Sequence, residues 1–155
     1  MWLLIYRYLS NIFFIPILFF FLLRFLVSKE TISSILQKFS IFNKTRPEGD
    51  LIWINGVSVG EAKTGITVAK EIKKIKPKSS ILFSTSTLSA YNLLSKSKND
   101  FVVIFFPLDI NFLVKRFLKY WNPSSVIFIE SEIWPNIFYI LKENFIKLSI
   151  LNARI

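Results

Sequence analysis

Short apolar runs alternate with longer helical patterns from residue 51 onward. The apolar runs are mostly continuous, as is typical of strands that are buried on both faces. They predict five strands, at residues 51–55, 80–84, 101–106, 125–130 and 147–151. The segments between them, 61–75, 88–97, 110–120 and 133–144, have the spacing of helices. This order predicts an α/β domain with a doubly wound, Rossmann-like parallel sheet over residues 51–155.

A different pattern precedes the domain, because residues 8–23 are uncharged and dominated by apolar side chains. Arg7 and Arg24 border this run, which is shorter than the roughly 20 residues of a usual membrane-spanning helix. If both arginines extend toward lipid headgroups, residues 2–27 are long enough to cross a bilayer. We therefore predict a membrane-anchor helix at 1–28. A connector at 29–50 follows, and its Pro47 and Gly49 are typical of a boundary.

A cleaved signal peptide and a helix lying in the membrane interface are the alternatives to a spanning anchor. The segment lacks the small-residue cleavage site of a signal peptide. A helix in the interface plane, bent near Pro16, stays open because an anchor need not span the bilayer. Positive side chains are in excess after the segment, which favours a cytoplasmic location for the domain: Lys29, Lys38, Lys44 and Arg46.

The composition limits the chemistry that the domain can perform. The 155 residues include 20 basic and 10 acidic side chains, a net charge of +10 that suits a phosphorylated substrate or an acidic membrane. The chain has no cysteine and no histidine, so we expect no disulfide, no thiol chemistry and no metal site. We expect no nucleic-acid partner, because no recognised nucleic-acid motif is present. The lysine-rich segment 70–78 either solubilises a helix face or attracts anionic lipid.

Polar motifs follow the predicted strands, at the edge where ligands of open α/β sheets bind. They are GVSVGE at 56–61, STSTLSA at 84–90, PLD at 107–109, ESEIWPN at 130–136 and NAR at 152–154. Ser84, Thr87 and Asp109 are either site residues or helix caps. Glu130 and Glu132 favour a site, because neighbouring carboxylates at the end of a buried strand need solvent or basic partners.

This ordered set of motifs resembles the amino-terminal domain of bacterial 3-deoxy-D-manno-octulosonic acid (Kdo) transferases. The resemblance covers about residue 47 to the end and includes SVGE at 58–61, FPLD at 106–109, VKRFL at 114–118, ESEIWPN and NAR. These proteins are membrane-anchored glycosyltransferases of lipopolysaccharide assembly. The resemblance implies the amino-terminal half of a glycosyltransferase-B fold, on the cytoplasmic face of the inner membrane. It also implies that this half binds the lipid A precursor.

The same resemblance implies that CMP-Kdo, the donor, is bound by a carboxyl-terminal domain and that no cofactor is required. The chain stops just past NAR, so we expect a fragment without that domain. Within this chain, the resemblance implies that Glu61 is the general base and that Glu130 supports the transition state. Residues predicted to bind substrate lie at the same edge of the sheet: Ser58, Gly60, Ser84, Thr85, Asp109 and Glu132.

The position of Glu61 supports its predicted role, since a helix N-terminus favours an ionised carboxylate that can accept a proton. Gly60 leaves the approach to it open, and Ser58 supplies a nearby hydroxyl. Two alternatives stay open. Glu61 can be an ordinary first-turn glutamate, and the whole chain can be a non-catalytic, membrane-tethered remnant that binds the acceptor.

Overall fold

The computed structural model describes residues 2–97, 100–130 and 132–151. Helices precede the first strand, and from there strands and helices alternate. The elements are α1 (Trp2–Ile12), α2 (Phe14–Leu26), α3 (Ile32–Lys38), β1 (Leu51–Asn55), α4 (Val59–Ile75), β2 (Ser80–Thr85), α5 (Leu88–Lys96), β3 (Phe101–Phe105), α6 (Asn111–Trp121), β4 (Ser125–Ile129), α7 (Pro135–Glu143) and β5 (Lys147–Leu151).

The strands form one parallel sheet in the order β3-β2-β1-β4-β5. β1 is central, with Trp53 opposite Leu82 of β2 and Val126 of β4. Every predicted strand is present and differs from its predicted bounds by at most one residue. The prediction of a doubly wound, Rossmann-like α/β sheet is therefore confirmed.

Alternation along the strands divides the core into two layers. Trp53 and Phe128 face α6 and α7, where they pack with Phe117 and Trp121. Side chains at the alternate positions of the strands, such as Ile54 of β1 and Phe83 of β2, point to the opposite face of the sheet, toward α4 and α5. Both faces of the sheet are covered by helices, which explains why the strands are continuous apolar runs in the sequence.

Gly65 allows α4 to lie close to the sheet. A Cβ atom added at Gly65 would lie 2.8 Å from Cε2 of Phe83 and closer still to its Cζ. Phe83 is fully buried in β2, so its ring has little room to move away. The missing side chain therefore sets the distance between α4 and β2.

The first two helices form a bent pair rather than one continuous helix. Their axes differ by 49°, and the break falls at Phe13. Pro16 lies in the first turn of α2, where its missing N–H costs no intrahelical bond. Among the described residues, no single helix has both the length and the apolar composition to span a membrane, although the bent pair has both when taken together. A spanning anchor at 1–28 stays a prediction.

The predicted connector contains a helix that the sequence analysis did not predict. α3 begins with a capping box, in which the Thr31 and Ser34 side chains accept hydrogen bonds from each other's backbone N–H groups. A buried ion pair between Glu30 and Lys38 (2.5 Å) spans the helix. Burial lowers the pKa of Lys38, and Glu30 opposes that shift. Gln37 completes the packing by accepting a hydrogen bond from the Phe105 N–H (3.0 Å) at the end of β3.

Candidate active site

The order of the strands places a topological switch point between β1 and β4, and the edge of the sheet between the carboxyl ends of these two strands is here called the crevice. From β1 the chain continues through α4 and α5 on one face of the sheet, and from β4 it continues through α7 on the other face. The carboxyl ends of these adjacent strands therefore lead into loops that diverge. Ligands of doubly wound sheets bind at this switch point. The residues that border it are 56–61, which form the GVSVGE motif, and residues 130 and 132–134 of the ESEIWPN motif.

Glu61 lies in the first turn of α4, and its carboxylate is held by the preceding loop. Ser58 is the N-cap: its Oγ accepts a hydrogen bond from the Glu61 N–H (3.2 Å) and donates one to Glu61 Oε1 (2.7 Å). The Val57 N–H donates to Oε2 (2.8 Å). These contacts resemble a capping box, which both an ordinary first-turn glutamate and a positioned base would form. The catalytic role of Glu61 therefore stays a prediction.

Two glycines shape the loop in different ways. A Cβ at Gly56 would lie 3.1 Å from the backbone carbon of Glu61, so the turn before α4 depends on a glycine at this position. Gly60 is exposed, and a Cβ there would meet only the Ser58 Oγ, at 3.8 Å. The open approach to Glu61 beside Gly60, and the part of Gly60 in substrate binding, stay predictions. The steric role of Gly56 was not predicted.

Glu130 and Glu132 lie on the other side of the crevice. Glu130 has a left-handed backbone (φ 70°), and its N–H donates to the Leu151 carbonyl (2.7 Å). Glu132 is half-buried and accepts a hydrogen bond from Trp134 Nε1 (3.0 Å). Burial raises the pKa of Glu132, and the nearby charges of Glu61 and Glu130 raise it further. The structure thus places the three predicted carboxylates after the two strands that border the switch point, near enough for the charges of Glu61 and Glu130 to act on Glu132.

Ser84 and Thr85 lie beneath the crevice, where both are completely buried. Ser84 Oγ accepts a hydrogen bond from Trp53 Nε1 and donates one to Asn55 Oδ1, each at 2.7 Å. Thr85 Oγ1 donates to the Val57 carbonyl (3.0 Å). These bonds join β2 to β1 and to the loop that holds Glu61. Direct contact of either hydroxyl with substrate stays a prediction that these contacts do not support.

Asp109 and Thr87 are both helix caps. Thr87 is the N-cap of α5, and its Oγ1 accepts from the Ala90 N–H (3.2 Å). Asp109 caps a helix much further along the chain, since its carboxylate accepts from the backbone N–H groups of Asn136 (3.1 Å) and Ile137 (2.9 Å) in α7. Burial raises the pKa of Asp109, and these hydrogen bonds oppose the shift. The predicted contact between Asp109 and substrate is untested.

The sequence analysis did not predict the partners of Asp109, although the lack of a capping residue before α7 indicates that this helix needs an acceptor from elsewhere. The residue before α7 is Trp134, which has no side-chain oxygen with which to cap a helix. A helix that starts without a local cap needs an acceptor from elsewhere when its first turn is buried. Tyr6 and Ser10 of α1 also contact this cluster, through Asp109 and Asn136 respectively. Neither contact can be read from local spacing.

The described ranges contain no group of three or more acidic side chains arranged to hold a metal ion. The NAR motif at 152–154 lies outside the described residues, so the fifth predicted motif has no structural counterpart to compare. The candidate site thus consists of the carboxylates of Glu61, Glu130 and Glu132, supported by the capped loop before α4.

Comparison with known proteins agrees with the motifs. Residues 33–155 match the family model of 3-deoxy-D-manno-octulosonic-acid transferase (kdotransferase). A probable mitochondrial 3-deoxy-D-manno-octulosonic acid transferase of Arabidopsis thaliana is 36% identical over 122 residues, which cover 76% of this chain and 27% of that protein. The 3-deoxy-D-manno-octulosonic acid transferase of Rickettsia prowazekii is 35% identical over 108 residues, 68% of this chain and 23% of that protein.

The corresponding transferase of Haemophilus influenzae is 31% identical over 114 residues, which cover 73% of this chain and 27% of that protein. The chain therefore spans about a quarter of the length of the curated relatives that it matches. The matched region includes α3 and continues through the sheet to the end of the chain. On this evidence the chain belongs to the 3-deoxy-D-manno-octulosonic acid transferase family.

Proposed function

We propose that this chain is a fragment from the acceptor-side, amino-terminal half of a glycosyltransferase-B enzyme that transfers Kdo from CMP-Kdo to a lipid A precursor. The observation that supports this most strongly is the position of the carboxylates: Glu61 follows β1, and Glu130 and Glu132 follow β4, the two strands that border the switch point of the sheet. The loop after β1 thus supplies a candidate base, Glu61, and the connection after β4 supplies a carboxylate that can stabilise positive charge, Glu130. Membership of the family supplies the reaction class.

In the proposed reaction Glu61 accepts the proton of an acceptor sugar hydroxyl. The hydroxyl oxygen forms a bond to the anomeric carbon of Kdo, and the bond from that carbon to the phosphate oxygen of CMP breaks, so CMP leaves with the bonding electrons. Glu130 offsets the positive charge that develops on the sugar. A carboxylate has about four lone-pair sites, so Glu61 can accept this proton while it keeps its hydrogen bonds to Val57 and Ser58.

The same proposal places CMP-Kdo on a second domain, with no cofactor, and places the acceptor at the membrane surface. The apolar side chains of α1 and α2 support membrane association, because many are exposed; Ile15 and Leu26 are each 75% exposed. The segment up to residue 29 has three basic side chains and no acidic one, which suits anionic lipid: Arg7, Arg24 and Lys29. We propose the cytoplasmic face of the inner membrane as its location.

The test is Kdo transfer from CMP-Kdo to a lipid A precursor in detergent, with this chain and a separately supplied donor-binding domain. Glu61→Gln is expected to lower the rate about 100-fold or more, because it removes a general base. Glu71→Gln is the matched control, since Glu71 lies on the same helix, is exposed and pairs with the exposed Lys74. We expect Glu71→Gln to leave the rate unchanged.

Two results would contradict the proposal in different ways. Full activity of Glu61→Gln would remove the base role and leave Glu61 as a helix-capping residue. Absence of transfer by every variant, with folded protein that still binds the lipid precursor, would favour a non-catalytic, acceptor-binding chain. Circular dichroism of each variant separates either result from misfolding.

A further inference from the structure

The start of α7 depends on residues that are distant in the sequence. The first N–H groups of any helix have no partner within the helix. At α7 the N-cap residue is Trp134, and no side-chain cap bond forms there. Asn136 and Ile137, in the first turn, are completely buried, so water cannot serve their N–H groups.

Asp109 supplies the missing acceptors from the loop between β3 and α6. Its Oδ2 accepts from the Asn136 N–H (3.1 Å) and its Oδ1 from the Ile137 N–H (2.9 Å). The Asn136 side-chain amide returns a bond to the Asp109 carbonyl (2.5 Å). A carboxylate at a helix N-terminus is also stabilised by the helix dipole. The loop before α6 and the first turn of α7 are therefore held together by three hydrogen bonds and by the favourable interaction of the Asp109 charge with the helix dipole.

α1 joins the same cluster through two more hydrogen bonds. The Tyr6 hydroxyl donates to Asp109 Oδ2 (2.9 Å), and Asn136 Nδ2 donates to Ser10 Oγ (3.2 Å). One turn further along α7, the Arg7 guanidinium lies 4.4 Å from the centre of the Tyr139 ring. α1 thus contacts α7 where α7 begins.

These contacts fix one end of the connection between β4 and α7, which contains the carboxylates of Glu130 and Glu132. The described residues between the end of β4 and the start of α7 are 130 and 132–134, and they include Glu130 and Glu132. The other end is held where the Glu130 N–H bonds to the Leu151 carbonyl. A shift at the start of α7 would therefore move Trp134 and the Glu132 carboxylate that it contacts.

We propose that Asp109 is a positioning residue, which holds the start of α7 and ties residues 132–134 to α1 through Tyr6. Building on the proposed function, this makes α1 part of the support of the active site as well as a membrane-facing helix. Direct binding of an acceptor by Asp109 fits the geometry less well. The residue is 8% exposed and both carboxylate oxygens already accept hydrogen bonds, so a ligand would have to displace Tyr6 or open the start of α7.

The experiment compares Asp109→Asn and Tyr6→Phe with the control Tyr8→Phe in the full chain. Asp109→Asn replaces one acceptor oxygen by an amide that faces N–H donors, whereas Tyr6→Phe keeps the cap and removes only the link to α1. Tyr8 lies on the same helix and is 72% exposed. In the transfer assay we expect kcat to fall about 10- to 100-fold for Asp109→Asn. For Tyr6→Phe, we expect about a fivefold fall. The KM for the acceptor should stay within about twofold for both variants.

A second readout needs no activity. The pKa of the Glu132 carboxyl, followed by NMR in the full chain, is expected to change in both variants and to stay constant in Tyr8→Phe, because that pKa depends on the burial of Glu132, on its hydrogen bond to Trp134 and on the charges of Glu61 and Glu130. An increase in KM with an unchanged kcat would overturn the proposal in favour of acceptor contact. An unchanged Glu132 pKa in both variants would overturn it as well. If the unmodified protein transfers no Kdo, the proposed function fails while the NMR comparison still tests the positioning role.

Discussion

Replacing Gly65 by alanine tests whether the distance between α4 and β2 is fixed. The added Cβ would lie 2.8 Å from Cε2 of the buried Phe83 ring, about 1 Å inside the optimal carbon–carbon separation. Forcing an extra methyl group into a packed core usually costs about 1–3 kcal/mol. Alanine also gains up to about 1 kcal/mol over glycine within a helix. The net change expected for Gly65→Ala is thus a loss of about 0–3 kcal/mol.

Gly60→Ala is the matched control, because it makes the same chemical change in the same helix. Its Cβ would meet only the Ser58 Oγ, at an ordinary 3.8 Å. We therefore expect this variant to be as stable as the unmodified protein or slightly more so. The difference between the free energies of unfolding of the two variants isolates the steric cost at Phe83, about 1–3 kcal/mol.

Urea unfolding followed by tryptophan fluorescence measures this difference, since Trp53 and Trp121 are fully buried and will report loss of the core. Far-UV circular dichroism checks that both variants keep their helices. If Gly65→Ala were as stable as Gly60→Ala, the Phe83 ring would have to move freely, and the close approach of α4 would not depend on glycine. That result would refute the argument from packing.

Three further predictions concern the site and the N-terminal packing. Ser58→Ala removes the cap of α4 and should lower the free energy of unfolding by about 1 kcal/mol, which urea unfolding will show; no change would contradict the cap. Glu61→Gln removes a like charge and should lower the pKa of Glu132 in an NMR titration. Because the folded state raises that pKa above its ordinary 4.5, folded protein binds the proton more tightly, and stability falls as pH rises through the raised value; Glu61→Gln should make this fall smaller. Lys38→Met leaves the buried Glu30 without its 2.5 Å partner and should cost about 3 kcal/mol, whereas Lys38→Met with Glu30→Gln should recover most of it in the same assay.

The sheet could be predicted from the sequence because burial on both faces makes its strands distinct. A strand such as 51–55, with every residue buried, has to be apolar almost throughout, and the polar Asn55 at its end is accommodated by Ser84. The carboxylates could be placed at one edge for a related reason: parallel strands with right-handed crossovers bring their carboxyl ends together. Neither inference required knowledge of any long-range contact.

Features that depend on distant residues could not be predicted in this way. α3 is only seven residues long, and contacts such as the bond from the Phe105 N–H to Gln37 help to hold it in place, so local pattern alone gives a weak signal. Asp109 was recognised as a possible cap, but its helix begins 26 residues later. The break at Phe13 lies three residues before Pro16, near which the alternative of an interface helix has its bend, and Pro16 itself is accommodated in the first turn of α2.

The left-handed backbone of Glu130 has a consequence for how this protein can be stabilised. A non-glycine residue in that region costs about 1–2 kcal/mol, and glycine would relieve the strain. Selection for thermal stability alone would therefore favour glycine at position 130, whereas selection for a charged crevice retains glutamate. In a library of variants sorted separately for stability and for transfer, this position should be enriched for different residues in the two pools.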